Sequence, residues 1–146
     1  MKCSEIMTKD PVCCLSSDTV NKAAQLMKTE NVGPIPVVAD EESKRLIGIV
    51  TDRDLALKVV AEAKDAKSTM VDDVMTTGVV ACRADDNLQN ALKAMEEHQV
   101  RRIPIIDDND RVIGIIAQAD IATRINQPKK TAEVVEEISK TNAAGS

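Results

Sequence analysis

The chain repeats itself, and that repeat limits what it can fold into more than any other feature. Met7-Thr8 returns as Met75-Thr76. At the same offset Val12 aligns with Val80, Cys14 with Cys82, Asp18 with Asp86, Ala23 with Ala91 and Met27 with Met95. Val32 aligns with Val100 and Ile35-Pro36 with Ile103-Pro104. The first copy then carries extra residues in the turn Glu41-Glu42-Ser43-Lys44. Beyond it Arg45, Ile47, Gly48, Ile49 and Asp54 align with Arg111, Ile113, Gly114, Ile115 and Asp120. Half a chain of this length is too small to cover its own sheet, so two like halves must share one module.

Each copy reads as β-α-β-β-α. A short helical turn (residues 3–7 and 71–75) precedes a short strand (12–15 and 79–82). An amphipathic helix follows, with Asp18 or Asp86 placed as its N-cap. Val20, Ala23, Ala24 and Met27 fall on one face of the first helix, as do Leu88, Ala91, Leu92 and Met95 on the second. A strand entered through Pro36 or Pro104 comes next, and Pro there suits a strand start or edge. After an acidic turn (40–42 and 107–110), a third strand (46–50 and 112–117) runs into a final helix, read over 55–63 in the first copy. The predicted organisation is repeat 1 over residues 1–63, an exposed, charged linker over 64–70, and repeat 2 over 71–126. A terminal segment covers 127–146, broken at Pro128, with a short acidic helix over 131–138 and a frayed end. The fold class is mixed α/β (α+β), with two pseudo-two-fold-related repeats packed through their sheets.

Composition narrows the function. The net charge is −5, which argues against DNA or RNA as partners, since phosphate contacts need a basic face. Phe, Tyr and Trp are absent, so a bound ring would be gripped by aliphatic and Met side chains rather than stacked on an aromatic. No apolar run approaches the ~18 residues of a membrane span, and Met1-Lys2-Cys3-Ser4-Glu5 is not followed by the apolar stretch of a signal peptide. The four cysteines, Cys3, Cys13, Cys14 and Cys82, form no C-x-x-C. They read as small buried hydrophobes in a reducing cytoplasm, not as a disulfide framework or a metal set. His98 stands alone at a helix end, and neither a P-loop nor a Ser/His/Asp arrangement is present, so the chain is not expected to be an enzyme.

The chemistry concentrates where a strand meets a helix. Gly48-Ile49-Val50 ends in Thr51-Asp52-Arg53-Asp54, and a helix start holds outward N–H groups that favour a polar or anionic ligand. Thr51 and Asp54 also have the spacing of a capping box, which stabilises by about 1 kcal/mol without any ligand. The second copy, Gly114-Ile115-Ile116-Ala117-Gln118-Ala119-Asp120, lacks the hydroxyl. Its preceding strand begins with Arg101-Arg102 where the first copy has Gly33-Pro34. A guanidinium can hold phosphate through two bonds; the alternative is surface pairing of these arginines with Asp107 and Asp108.

The ordered set Ile6-Met7-Thr8, Ala23-Ala24, Met27, Asn31 to Val38 and Gly48 to Asp54, with its second copy from Val100 to Asp120, closely resembles a tandem pair of CBS (cystathionine beta-synthase) domains. The resemblance covers residues 1 to about 126. It implies a module that binds an adenosine-containing ligand (AMP, ADP, ATP, S-adenosylmethionine or NAD) and that dimerises. It places Thr51 near the phosphate and Asp54 on the ribose hydroxyls, with Arg101 and Arg102 brought to that cleft from the other repeat. Thr8, Pro11, Val12 and Ile35 would line the base, and a weaker second cleft would hold Asp120, Gly33 and Pro34. The expected function is regulatory: ligand binding biases an unidentified protein partner through a change of conformation or association. The rival expectation is an interaction protein whose clefts have lost their ligand.

Overall fold

The computed structural model describes residues 1–125; the expected acidic helix and frayed end lie outside them. The fold is mixed α+β, with two sheets and four helices among the described residues. In chain order the elements are β1 (Thr8–Lys9), β2 (Cys14–Leu15), α1 (Val20–Glu30), β3 (Ile35–Val38), β4 (Leu46–Val50) and α2 (Asp52–Leu55). There follow β5 (Cys82–Arg83), α3 (Leu88–Glu97), β6 (Arg102–Ile106), β7 (Val112–Ala117) and α4 (Gln118–Ile125). Single 3-10 turns at Cys3–Glu5 and Val71–Asp73 precede the two halves. Repeat 2 thus has the β-α-β-β-α order expected, and repeat 1 has the same order preceded by the short strand β1.

The chain divides into two compact units, and neither is one sequence repeat. Among the described residues unit 1 combines Met1–Lys9, Val80–Asp108 and residues 113–125. Unit 2 combines Asp10–Val79 with Asn109–Val112. Each therefore takes the leading segment of the other repeat, and the hydrogen bonds match pair for pair. In unit 1, Leu88 N–H donates to Met1 C=O, Cys3 N–H to Asp86 C=O and Ser4 N–H to Ala84 C=O, at 2.8, 2.9 and 3.0 Å. In unit 2, Val20 N–H donates to Thr69 C=O, Val71 N–H to Asp18 C=O and Asp72 N–H to Ser16 C=O, at 2.9, 2.8 and 3.0 Å. Both sets satisfy helix-start donors that a helix cannot pair internally. The segment over 64–70 is therefore more than a solvated tether. Asp65 folds it into a turn by accepting from Ser68 and Thr69 N–H, and Asn21 N–H donates to Ala66 C=O at 3.0 Å.

Unit 1 carries the four-stranded sheet β1-β7-β6-β5, with Thr8 opposite Ile115 and Lys9 opposite Gly114. Its core joins Cys3 and Ile6 to Cys82, Leu88, Ala91, Met95, Ile103, Ile105, Ile116 and Ile121. Unit 2 carries β2-β3-β4, extended by a bridge between Ile49 and Thr76. Its core gathers Cys14, Val20, Ala23, Met27, Ile35, Val37, Val50, Val59, Val71 and Val74. Gly48 and Gly114 exist for close approach. A Cβ at Gly48 would lie 2.9 Å from both Met75 Sδ and the Thr76 carbonyl oxygen, and one at Gly114 would press on Met7 Sδ and Cγ.

Four local expectations need correction. The N-caps are Thr19 and Asn87, one residue after Asp18 and Asp86. Those aspartates instead turn back to close the preceding loop, accepting from Leu15 and Arg83 N–H at 2.8 Å each. Ala24 is exposed, so the buried stripe of α1 is Val20, Ala23 and Met27. Pro36 lies in the middle strand of its sheet rather than on an edge. Parallel pairing with β2 begins only at Val37, so the missing N–H forfeits no bond on that side. The last helix of the first repeat begins at Asp52, and from Ala56 to Val60 it widens into a π turn closed by Ala61 N–H on Ala56 C=O at 2.9 Å.

Candidate functional site

The junction of β4 and α2 is set by local chemistry. Val50 is fully buried and ends the apolar run. Thr51 has extended backbone (φ −119°, ψ 162°), and its hydroxyl accepts from Asp54 N–H at 3.0 Å. Asp54 Oδ2 accepts from Thr51 N–H at 3.0 Å, completing the capping box. The other carboxylate oxygen, Oδ1, lies 3.2 Å from Lys58 Nζ, with the Asp54 side chain 14% exposed. Lys58 Nζ also donates to Val74 C=O at 3.0 Å. One carboxylate is thus tied to its own helix start, to a lysine one turn on, and through that lysine to the leading segment of the second repeat. Lys58 was absent from the sequence-derived set. Its signal was the Asp-to-Lys spacing of one helical turn.

Unit 1 repeats the junction with one change. Ala117 is buried and has no hydroxyl, yet Asp120 Oδ2 still accepts from Ala117 N–H at 2.9 Å. Half of the box survives the loss of the threonine. Gln118 N–H, at the start of α4, donates to Arg101 C=O at 2.8 Å. The corresponding contact in unit 2 puts Gly33 against Asp52, whose Oδ1 would be 3.2 Å from a Cβ at Gly33. The loop ahead of each Pro-led strand therefore touches the junction of its own repeat. The expected crossing of Arg101 and Arg102 to Thr51 and Asp54 was drawn from symmetry and is carried forward as a proposal. Asp108 does not serve these arginines in the ion pairs seen: it pairs with Arg83 at 2.7 Å.

The other expected residues sort by unit. Thr8 lies in β1 of unit 1 and is exposed; Asp120, Arg101 and Arg102 are in the same unit. Pro11, Val12, Gly33, Pro34 and Ile35 belong to unit 2 with Thr51 and Asp54. Ile35 is fully buried within the unit 2 core, whereas Pro11 and Val12 are partly exposed. His98 closes α3, its N–H donating to Ala94 C=O at 3.0 Å. All four cysteines are free thiols. Burial pushes Cys3 and Cys14 up to about 12, and it also raises Cys13 and Cys82. Thiols held protonated in this way are poor nucleophiles and poor metal ligands. Among the described residues no group of three or more His, Cys, Asp or Glu could hold a metal ion, and no helix is long and apolar enough to cross a membrane.

Two β-α-β-β-α repeats ending in matched aspartate junctions are the architecture of CBS-domain pairs. The CBS domain profile matches residues 3–61 and again 71–127, and the chain belongs to the CBS-domain family as a tandem pair. It is similar to the CBS domain-containing protein YhcV of Bacillus subtilis, 41% identical over 123 residues that cover 84% of this chain and 83% of that protein. The crystal structure of Hypoxic Response Protein I with two coordinated zinc ions matches with a TM-score of 0.78 at 33% identity, covering 88% of this chain and all of that one. The CBS domain pair of protein MJ0100, in complex with 5′-methylthioadenosine and S-adenosyl-L-methionine, matches with a TM-score of 0.74 at 28% identity. That match covers 84% of this chain and 94% of the other.

Proposed function

We propose that this CBS pair is a regulatory module that senses an adenosine-containing ligand and performs no reaction of its own. The observation that carries the reading is the Asp54 carboxylate, fixed by the capping box yet still able to accept. An ionised carboxylate offers about four acceptor directions, and Thr51 N–H and Lys58 Nζ account for two of those at Asp54. A ribose diol supplies two O–H donors for the rest. The adenosyl ligands held by the MJ0100 pair support this ligand class. AMP, ADP and ATP are the preferred candidates, with S-adenosylmethionine and NAD carrying the same diol. Thr51 would lie toward the phosphate, Arg101 and Arg102 would bind it, and Pro11, Val12 and Thr8 would contact the base. Leu57 and Val60, 51% and 75% exposed beside α2, support self-association as a homodimer. The free thiols fit a reducing cytoplasm.

The test is a dye-based thermal shift followed by calorimetry with adenosine, AMP, ADP, ATP, S-adenosylmethionine and NAD; tryptophan fluorescence offers no signal, because the chain has none. A saturable shift with at least one compound is expected, and none at millimolar concentration overturns the reading. A second reading, with the ligand at the Asp120 junction, has one observation in its favour: the backbone of Arg101 meets that junction, its carbonyl accepting from Gln118 N–H at 2.8 Å. Asp54→Ala is expected to abolish binding. If Asp120→Ala abolishes it and Asp54→Ala does not, the second reading holds.

A further inference from the structure

We propose that Lys58 is a positioning residue that competes with the ligand for Asp54 and so sets the module's affinity for the ribose diol. The inference rests on Asp54 being the diol acceptor. The capping box holds Asp54 without help from Lys58: the Thr51 hydroxyl takes the Asp54 backbone N–H, and the carboxylate itself is placed by Asp54 Oδ2 taking Thr51 N–H, both at 3.0 Å. Oδ2 is thereby turned to the backbone, and Oδ1 is the oxygen left to receive a ligand. The Lys58 ammonium stands 3.2 Å from that atom. Its own position is held by the Val74 carbonyl at 3.0 Å, on the leading segment of the second repeat. The ammonium is therefore a half-exposed cation held at two points, by Asp54 Oδ1 and by the Val74 carbonyl. A diol donating to Oδ1 must share or displace it. Because the capping box persists without the lysine, removing the ammonium frees Oδ1 and leaves the carboxylate in place.

Calorimetry with adenosine as the probe tests this on the full-length protein. Lys58→Met is expected to bind adenosine about two- to fivefold more tightly than wild type, the range spanned by an exposed or half-exposed ion pair. Lys58→Arg, which restores a cation one turn from Asp54, is expected to return to the wild-type value. The gain should be confined to ligands with a diol, so 2′,3′-dideoxyadenosine should bind wild type and Lys58→Met alike. A general structural effect of the substitution would move both nucleosides together and overturns the proposal. So does adenosine affinity in Lys58→Met that is unchanged or weaker. The underlying reading is checked separately by Asp54→Ala. If this variant binds adenosine as wild type does, Asp54 is not the diol acceptor, and both ideas fall. If it loses binding while Lys58→Met is neutral, only the competition fails. Lys58→Gln, a polar replacement at the same half-exposed position, repeats the measurement if the Met variant loses its native melting transition.

Discussion

Gly48 and Gly114 occupy equivalent places in the repeat, but they should respond differently to the same substitution. At Gly48 an added methyl meets the Thr76 carbonyl oxygen and Met75 Sδ, each at 2.9 Å. The carbonyl cannot retreat easily, because it accepts from Ile49 N–H at 2.9 Å, the next residue of the same strand. At Gly114 the three nearest atoms all belong to the Met7 side chain, with Cγ at 2.9 Å and Cβ at 3.1 Å. Overpacking of this kind destabilises by about 1–3 kcal/mol, which for a chain of this size lowers Tm by roughly 3–9 °C. Each single glycine-to-alanine variant should fall in that range by thermal denaturation followed by circular dichroism. The pairs should then part. Adding Met7→Ala to Gly114→Ala removes Sδ and Cγ, so a double-mutant cycle should recover about 1 kcal/mol or more of coupling. Adding Met75→Ala to Gly48→Ala leaves the backbone oxygen in place, and its coupling should stay below about 0.5 kcal/mol. Equal coupling at the two sites, or a neutral Gly48→Ala, would refute the argument that backbone crowds one glycine and a flexible thioether the other.

Thr51→Ala removes the hydroxyl that accepts Asp54 N–H and should lower stability by about 1 kcal/mol in urea denaturation; no loss would mean the box is not formed in solution. Deleting Met1–Lys9 strips Cys3 and Ile6 from the unit 1 core along with its β1 edge, and amide NMR should show collapsed dispersion for residues 80–108. Cys3 and Cys14 should resist a thiol reagent at pH 8 until the protein is denatured, since burial pushes both up to about 12. The same shift has a sign in stability. The folded thiols stay protonated while the unfolded ones ionise near pH 9, so their contribution should be constant below pH 9, the unfolding midpoint should fall above it, and Cys14→Ala should reduce that slope.

The order of elements was legible because apolar periodicity and the repeat both report local structure. The Thr51–Asp54 box was legible for the same reason: its four interacting groups lie within one turn. What the sequence hid was which residues are neighbours at a distance. Asp18 looked like an N-cap, but whether a carboxylate reaches forward to a helix or back to Leu15 N–H depends on the loop before it. Asp65 looked like part of a solvated charge run; only the docking of residues 66 and 69 on α1 shows why a turn is needed there. The reach of Lys58 to Val74 depends on the segment exchange, which no periodicity encodes. The bond from Gln118 N–H to the Arg101 carbonyl was not legible either, because it joins the loop ahead of β6 to the start of α4, residues with no periodic relation in the sequence.

The exchange of leading segments also sets an order of assembly. Unit 2 draws nearly all of its residues from Asp10–Val79 and can close as soon as that stretch has left the ribosome. Met1–Lys9 is made before its partners and must wait for them, since they include Asn87, 84 residues beyond Cys3, and Ile115 in β7. Closing so long a loop is entropically slow. The nascent chain thus carries Ile6 and Met7 unburied while unit 2 matures. A chaperone that shields short apolar N-termini would act on this interval, and slowing synthesis after residue 79 should lengthen it without touching the fold that results.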